Sequence, residues 1–313
     1  RILVLALLLA CALDSVAASG RVFVTNEKGD SVSVIDAKTN QVIKTIAIGK
    51  RPRGVGMAPD GSAVYVAVSG ANHIAVIDPV SLELKGQFAS GNDPEAFAVH
   101  SNGNIYISNE EDAKASVIDP RSGKLVAEIE VGIEPEGVAI SPDGTRAIVT
   151  SESTNMLHII AIPEHTVVNN ILVGARPRSA TFSADGKLAY ATSEIGGEVK
   201  KVDVASGTIL GRMTLSDDQA KPKDIMVSRD GKRLYVAGGR ANRVFVLDSN
   251  SLEVITSVPV GKRVWGLALS RDGSHLYTTD GADDQVSVID TKSNAVTTRI
   301  AVGAGPWGIV IDD

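Results

Sequence analysis

The sequence predicts an all-β fold, a seven-bladed β-propeller with four antiparallel strands in each blade. Three observations predict it. A similar segment recurs about every 42 residues, apolar residues alternate with period two inside each copy, and no stretch has a persuasive helical period. Four short strands in a repeat of this length are typical of a propeller blade.

Turn pairs that end in glycine mark the copies. In the third complete copy, strands A to D are expected at 137–141, 147–151, 157–162 and 167–173. The Pro-Asp-Gly turn between A and B suits a tight reversal, because proline fixes φ and glycine accepts positive φ. With steps of 42, 41, 42, 45 and 42 residues, the turn pairs fall at Asp60-Gly61, Asn102-Gly103, Asp143-Gly144, Asp185-Gly186, Asp230-Gly231 and Asp272-Gly273.

The phase of the repeat predicts how the ring closes. After its first 20 residues the chain reads as strands B, C and D, "RVFVTN", "SVSVID" and "QVIKTIAIG", and it ends on a lone strand A, "WGIVIDD". We expect this last strand to join the first three as a seventh blade, which removes an open sheet edge. Residues 19–313 are therefore predicted to form a single domain.

The first 18 residues have the pattern of a secretory signal peptide. One basic residue precedes an apolar run from Ile2 to Leu13, and small residues lead to a predicted cut before Ser19. The run is too short to span a bilayer well. We expect a periplasmic or secreted protein. Because "LLAC" resembles a lipobox, lipid anchoring through Cys11 is the alternative.

Composition excludes several classes of partner and chemistry. The net charge of −6 makes nucleic acid an unfavourable partner, and a single cysteine rules out an intramolecular disulfide. No Walker, dinucleotide-binding or nucleophile-elbow motif is present, so no catalytic residue is assigned. The five histidines are spread over several blades and both faces, and we interpret them as structural. We expect a monomer without a transmembrane span.

The repeat motifs resemble those of the YVTN family of seven-bladed propellers. The resemblance rests on "VFVTN" at 22–26, "LYVAG" at 234–238, "SVIDTKSNAV" at 287–296 and a recurrent VG-x-x-P-x-G-V/I pattern, and it covers 21–313. Within that family the chain is most similar to secreted propellers associated with pyrroloquinoline-quinone-dependent catabolism. The resemblance implies an accessory role in alcohol oxidation, with a quinoprotein dehydrogenase or its cytochrome as partner.

The candidate site is the rim of the central channel, where the D–A and B–C connections meet. We expect Glu95 near Glu110, Glu136 near Glu152, and Arg178 in a surface ion pair with Glu194. The predicted rim residues are Arg51, Arg53, Asp93, Glu95, Glu134, Glu136, Arg176, Arg178, Lys221, Lys223, Arg263, Trp265 and Trp307.

Three functions remain open. The first is a binding or scaffold protein whose charged rim holds a protein partner or a polar small molecule. The second is a propeller-type lactonase or lyase that uses channel carboxylates and a divalent cation. The third is a carrier of pyrroloquinoline quinone or another small molecule, since the rim offers bases and tryptophans. The candidate calcium ligands for the second are Glu95, Glu110, Glu136 and Glu152.

Overall fold

The computed structural model describes residues 18–313 as seven four-stranded antiparallel sheets. The predicted propeller is confirmed. The predicted signal peptide and Cys11 lie outside the described residues, apart from Ala18. Among the described residues, no helix has the length and apolar character needed to cross a membrane.

Blades are numbered here in chain order, and each is listed from its innermost strand. Blade 1 contains β4 (Pro52–Met57), β5 (Val64–Val68), β6 (His73–Ile77) and β7 (Leu84–Ala89), with a 3-10 turn at Ser69–Ala71. Blade 2 contains β8 (Pro94–Val99), β9 (Ile105–Asn109), β10 (Lys114–Asp119) and β11 (Lys124–Glu130). Blade 3 contains β12 (Pro135–Ile140), β13 (Arg146–Ser151), β14 (Met156–Ala161) and β15 (Thr166–Leu172).

The remaining blades follow the same plan. Blade 4 contains β16 (Pro177–Phe182), β17 (Leu188–Ser193), β18 (Glu198–Asp203) and β19 (Ile209–Thr214). Blade 5 contains β20 (Ile225–Val227), β21 (Arg233–Ala237), β22 (Arg243–Asp248) and β23 (Val254–Pro259). Blade 6 contains β24 (Val264–Leu269), β25 (His275–Asp280), β26 (Gln285–Asp290) and β27 (Ala295–Ala301). Blade 7 contains β28 (Pro306–Asp312), β1 (Arg21–Asn26), β2 (Ser31–Asp36) and β3 (Gln41–Ala47).

Burial along the strands explains their sequence pattern. Strand β5 is buried along its whole length, because both of its faces pack against other blades. Strand β11, at the outside of blade 2, exposes most of its residues and buries Ile129. The core is therefore divided among the blade interfaces, each filled by aliphatic side chains from two neighbouring sheets.

The ring closes through blade 7, as predicted. Strand β28 pairs antiparallel with β1, with Arg21 opposite Asp312. The Gly20 N–H donates to the Asp312 carbonyl at 2.8 Å and extends this pairing by one residue. The two ends of the described chain thus share one sheet.

Glycines let the innermost strands approach one another around the axis. A Cβ on Gly137 would lie 2.5 Å from the Arg178 carbonyl oxygen, and one on Gly308 would lie 2.5 Å from that of Arg53. Both contacts are too short for any other residue. The residue before each glycine is consequently held close to the axis.

Candidate functional site at the channel mouth

One side chain from each blade forms a ring at the mouth of the channel. Six of these residues are second in the innermost strand of their blade. The seventh, Lys223, precedes β20, and its N–H donates to the Ala237 carbonyl at 2.9 Å. In blade order, the ring residues are Arg53, Glu95, Glu136, Arg178, Lys223, Trp265 and Trp307.

Buried hydroxyls fix the backbone of this ring. The Thr192 hydroxyl accepts from the Ser179 N–H at 3.1 Å within blade 4 and donates to the Lys223 carbonyl of blade 5 at 2.8 Å. The Thr279 hydroxyl likewise donates to the Trp307 carbonyl at 2.8 Å. Each such hydroxyl therefore ties a ring residue to the preceding blade.

The D–A connections are braced by side chains of the B–C turns. Asp93, Arg176 and Arg263 have positive φ, between 48° and 60°. The Arg176 N–H donates to Asn155 Oδ1 at 3.0 Å, and the Arg263 N–H donates to Asn242 Oδ1 at 2.9 Å. Because these bonds offset the cost of the left-handed conformation, the loops around the mouth have a defined shape.

Arg53 organises the first charged sector. It forms ion pairs with Glu95 of blade 2, with Glu27 at 2.9 Å and with Glu110 at 3.6 Å. Glu95 is buried. A ring arginine of blade 1 thus neutralises carboxylates of the two adjacent blades, 7 and 2.

Arg178 organises the second charged sector. It pairs with Glu136, with Glu152 at 3.2 Å and with Glu194 at 2.6 Å. Glu194 also accepts from Lys223 Nζ at 2.5 Å. The predicted pairing of Arg178 with Glu194 is confirmed, but its predicted place at the surface is wrong, because these side chains are only 12% and 13% exposed. Convergence of the blades at the axis buries them.

Burial perturbs the acid–base properties of this second charged sector. Burial raises the pKa of Glu136 to about 8 despite Arg178, with Glu152 adding repulsion. Burial, together with the charge of Arg178, lowers the pKa of Lys223 to about 8. Although burial opposes it, Arg178 and Lys223 lower the pKa of the Glu194 carboxyl. Shifts of this kind in a cleft are common at functional sites.

The candidate calcium ligands come together, but arginines lie between them. One carboxylate oxygen each from Glu110, Glu136 and Glu152 lies within 4.8 Å of the others, as does a set formed by Asp93, Glu95 and Glu110. The expected proximity of Glu95 to Glu110 and of Glu136 to Glu152 is confirmed. Arg53 and Arg178 already pair with these groups, so the arrangement does not fit a hard cation without displacing them.

The two tryptophans form an aromatic sector across blades 6 and 7. Trp265 and Trp307 stack with their ring centroids 6.0 Å apart and their planes at 28°, and they are the only tryptophans in the chain. Lys223 Nζ lies 4.1 Å from the Trp265 centroid, and the Arg263 guanidinium carbon lies 5.2 Å from it. These distances suit cation–π contacts.

A cavity of about 160 Å³ opens beneath the ring. Five of the seven ring residues line it: Glu136, Arg178, Lys223, Trp265 and Trp307. Deeper in the channel its walls are apolar, from Val55, Phe97, Val138, Leu267 and Ile309. The cavity therefore combines a charged and aromatic entrance with an apolar interior, as small-molecule sites usually do.

The other predicted rim residues lie outside this cavity. Arg51 pairs with Asp93 at 3.6 Å, and the Lys221 N–H donates to the Gly238 carbonyl at 3.0 Å. Glu134 bonds to Ser153 at the rim. Six of the thirteen predicted rim residues are thus outside the ring and its cavity lining: Arg51, Asp93, Glu134, Arg176, Lys221 and Arg263.

Asp224 is a site residue that the sequence analysis missed. Its carboxylate lines the cavity and accepts from Ser179 Oγ of blade 4 at 2.9 Å and from the Leu267 N–H of blade 6 at 2.9 Å. It thereby bridges three blades. The signal was a departure from the repeat, since Asp224 stands where blades 1, 3, 6 and 7 have glycine after the ring residue.

Comparisons with known families agree on the fold. A model of YNCE-like beta-propellers matches residues 2–97, and a model of the seven-bladed beta-propeller lactonases matches residues 164–300. Each match covers less than half of the chain. Among curated proteins, no relative matches this sequence.

Solved structures with low sequence identity share the architecture. Hydrazine synthase of Kuenenia stuttgartiensis superposes with a TM-score of 0.77 at 22% identity, covering 83% of this chain and 89% of that one. A protein of unknown function from Desulfotomaculum acetoxidans gives 0.81 at 18% identity, covering 94% and 99%. The dihydro-heme d1 dehydrogenase NirN, in complex with DHE, gives 0.72 at 15% identity, covering 93% and 74%. At these identities the similarity shows the fold alone.

Proposed function

We propose that this seven-bladed propeller is a binding protein that holds a small ligand in the cavity at its channel mouth. One observation carries the proposal. The charged ring residues all have ion-pair partners, whereas the stacked tryptophans and the apolar wall beneath them offer the cavity surfaces without such partners. The ion pairs give the entrance a fixed shape, and preformed sites lose less entropy on binding.

The ligand that fits best has an apolar or aromatic body and a polar end. The body would contact Leu267 and Ile309 or stack against Trp307, and the polar end would remain near Lys223 and Arg178. A large, highly charged ligand fits less well, because Arg178 and Lys223 already have carboxylate partners. A carrier of pyrroloquinoline quinone, with its three carboxylates, is therefore the less favoured binding function.

Tryptophan fluorescence tests the proposal directly, because both tryptophans of the chain lie at the site. A library of small organic molecules would be titrated into the protein while emission is recorded. A true ligand should change the emission saturably and lose affinity in Trp307→Ala. Its affinity should be unchanged in Val80→Ala, an exposed position away from the cavity. Ligands that bind equally well to Trp307→Ala would contradict the proposal.

A catalytic function is the second candidate, and Glu136 favours it. This carboxyl lines the cavity, and burial raises its pKa to about 8, toward the protonated form that a general acid requires. A lactonase or lyase reaction would use it as proton donor. Hydrolysis of a lactone panel by wild type, lost in Glu136→Gln with the fold intact, would establish this function instead.

We also propose that the protein acts outside the cytoplasm, in the periplasm or as a secreted protein, as an accessory to quinoprotein-dependent alcohol oxidation. The pattern of residues 1–18 and the resemblance of the repeat motifs support this proposal. Cell fractionation followed by intact-mass measurement tests it. A mass beginning at Ser19 supports signal cleavage, acyl mass on Cys11 supports a lipid anchor, and an uncleaved cytoplasmic protein contradicts both.

A further inference from the structure

Lys223 differs from the other lysines in its surroundings. Its side chain is 6% exposed and lines the cavity, with Nζ 4.1 Å from the centroid of the Trp265 ring. Glu194 Oε1 lies 2.5 Å from Nζ. A buried amine on the wall of a partly apolar cavity, with the cationic Arg178 on the same wall, is an arrangement that activates a lysine toward carbonyl groups, and the neighbouring carboxylate can accept its proton.

We propose that Lys223 captures small aldehydes in the channel cavity as a reversible imine. The inference deepens the proposed function, on which it rests, by naming the ligand class. The cavity volume of about 160 Å³ suits a small aldehyde, and the apolar wall favours an aromatic or aliphatic tail.

Imine formation at Lys223 can be written with every proton and bond accounted for. The Glu194 carboxylate takes a proton from the Lys223 ammonium, and the free amine attacks the carbonyl carbon, so that a C–N bond forms while the C=O π bond breaks. A proton passes from the new nitrogen cation to the alkoxide oxygen and gives a neutral carbinolamine. Its C–O bond then breaks, and the hydroxyl leaves as water with the proton returned by Glu194, while the nitrogen lone pair forms the C=N bond. The net change is ammonium plus aldehyde to protonated imine plus water, with no oxidation or reduction.

Burial and the charge of Arg178 favour the free amine form of Lys223. Arg178 lies nearby with its positive charge, and burial removes water from the ammonium, so that the pKa of Lys223 falls to about 8. The negative charges of Glu194 and Glu136 oppose this shift without cancelling it. Near pH 8 a substantial fraction of Lys223 is therefore a nucleophile, whereas a solvated lysine is almost wholly protonated.

Lys200 provides a matched control within the same chain. It is also buried, and its Nζ lies 2.5 Å from Glu198 Oε2, but it does not line the cavity. Lys187, which is 79% exposed, represents the freely accessible lysines. Selective reaction of Lys223 over both would show that the cavity, and not burial or access alone, directs the chemistry.

The test is reductive trapping of the whole chain with benzaldehyde and sodium cyanoborohydride. The hydride converts the imine to a stable secondary amine, and peptide mapping by mass spectrometry locates it. We expect Lys223 to be modified at least about tenfold faster than Lys200 or Lys187 at pH 8, with the rate rising through that pH. Lys223→Arg should abolish the fast adduct, and Lys221→Arg should keep it.

Two results separate this inference from the proposed function. Modification spread over exposed lysines with no preference for Lys223 overturns the inference, even if Lys223→Arg fails to fold, because the mapping is done on wild type. If non-carbonyl ligands still change tryptophan emission in that case, the binding function stands. If selective trapping occurs, Trp307→Ala should slow it, since the aldehyde tail would lose its aromatic contact.

Discussion

At the residue scale, the position of Trp265 depends on a glycine in the neighbouring B–C turn. A Cβ on Gly281 would lie 2.8 Å from Trp265 Cδ1 and 3.1 Å from the Pro306 carbonyl oxygen. Gly281 does not have positive φ, so glycine is needed here for space. The aromatic sector is therefore specified by two residues, the tryptophan and the glycine that accommodates it.

Gly281→Ala should displace the indole of Trp265. We expect a shift in tryptophan emission and a loss of stability of about 1–3 kcal/mol, as for overpacking elsewhere. Gly86→Ala is the control, because Gly86 has open space around its Cα and no positive φ. Equal emission spectra for Gly281→Ala and wild type would show that Trp265 is held by other contacts.

Glu136 makes the stability of the protein depend on pH in an unusual direction. Its pKa in the folded protein, about 8, is above the value of an unfolded glutamate, 4.5. Between these values the unfolded chain has released the proton and the folded chain has kept it, so stability falls as pH rises. Arg178 remains balanced by Glu152 and Glu194 throughout.

Melting temperatures measured from pH 4.5 to pH 8 test this dependence. Relative to Glu136→Gln, wild type should lose stability steadily across that window. Glu130→Gln, at a side chain 80% exposed, should follow the wild-type curve. Parallel curves for wild type and Glu136→Gln would mean that Glu136 is ionised in the folded protein.

At the scale of the strand, buried hydroxyls couple neighbouring blades. Thr192 in β17 shares its hydroxyl between its own blade and the Lys223 carbonyl of the next. Thr192→Val keeps the shape but leaves those backbone groups without their partner. We expect a loss of about 1–3 kcal/mol in the free energy of unfolding, measured by chemical denaturation. Thr166→Val, at an exposed position of β15, should have no comparable effect. If the free energy of unfolding of Thr192→Val equals that of wild type, the inter-blade hydrogen bond contributes little to stability.

Strand β28 closes the ring by pairing with β1. A chain truncated after Gly305 would leave β1 as an open edge, and we expect it to melt far below the full chain or to aggregate. A circular permutant carrying 306–313 ahead of 19–305 is the control. Because Asp312 pairs with Arg21, this order needs only a tight turn, and it should restore the melting temperature. A truncated chain as stable as the full one would contradict the closure.

At the scale of the whole molecule, the sequence predicts the ring better than the site. Turn pairs and period-two strands repeat, so blade number and closure through β28 follow from the pattern of turns. The contacts of Arg178 do not follow in the same way, because Glu136 is 42 residues away in sequence and becomes its neighbour only through the packing of the innermost strands. Charges that look exposed on a linear rim are buried where seven blades converge.

One feature of the sequence could have revealed more of the site. The ring residues occupy a single repeat position, followed by glycine, alanine or serine in six blades, and Asp224 breaks that pattern in the seventh. Aligning the seven copies by this position separates the ring from Arg51, Arg176 and Arg263, which lie two residues before it. The partners in the ion pairs could not be predicted from the sequence. Of two charged residues spaced two apart in a D–A connection, the sequence does not indicate which side chain faces the axis.

The central claim is that the cavity at the channel mouth holds a ligand against the tryptophan pair. Native mass spectrometry tests it most directly, after wild type and Trp307→Ala are incubated with the small-molecule fraction of the host cell. We predict a defined extra mass on wild type that is absent from the variant. A bare wild-type mass, or the same extra mass on both proteins, would contradict the claim.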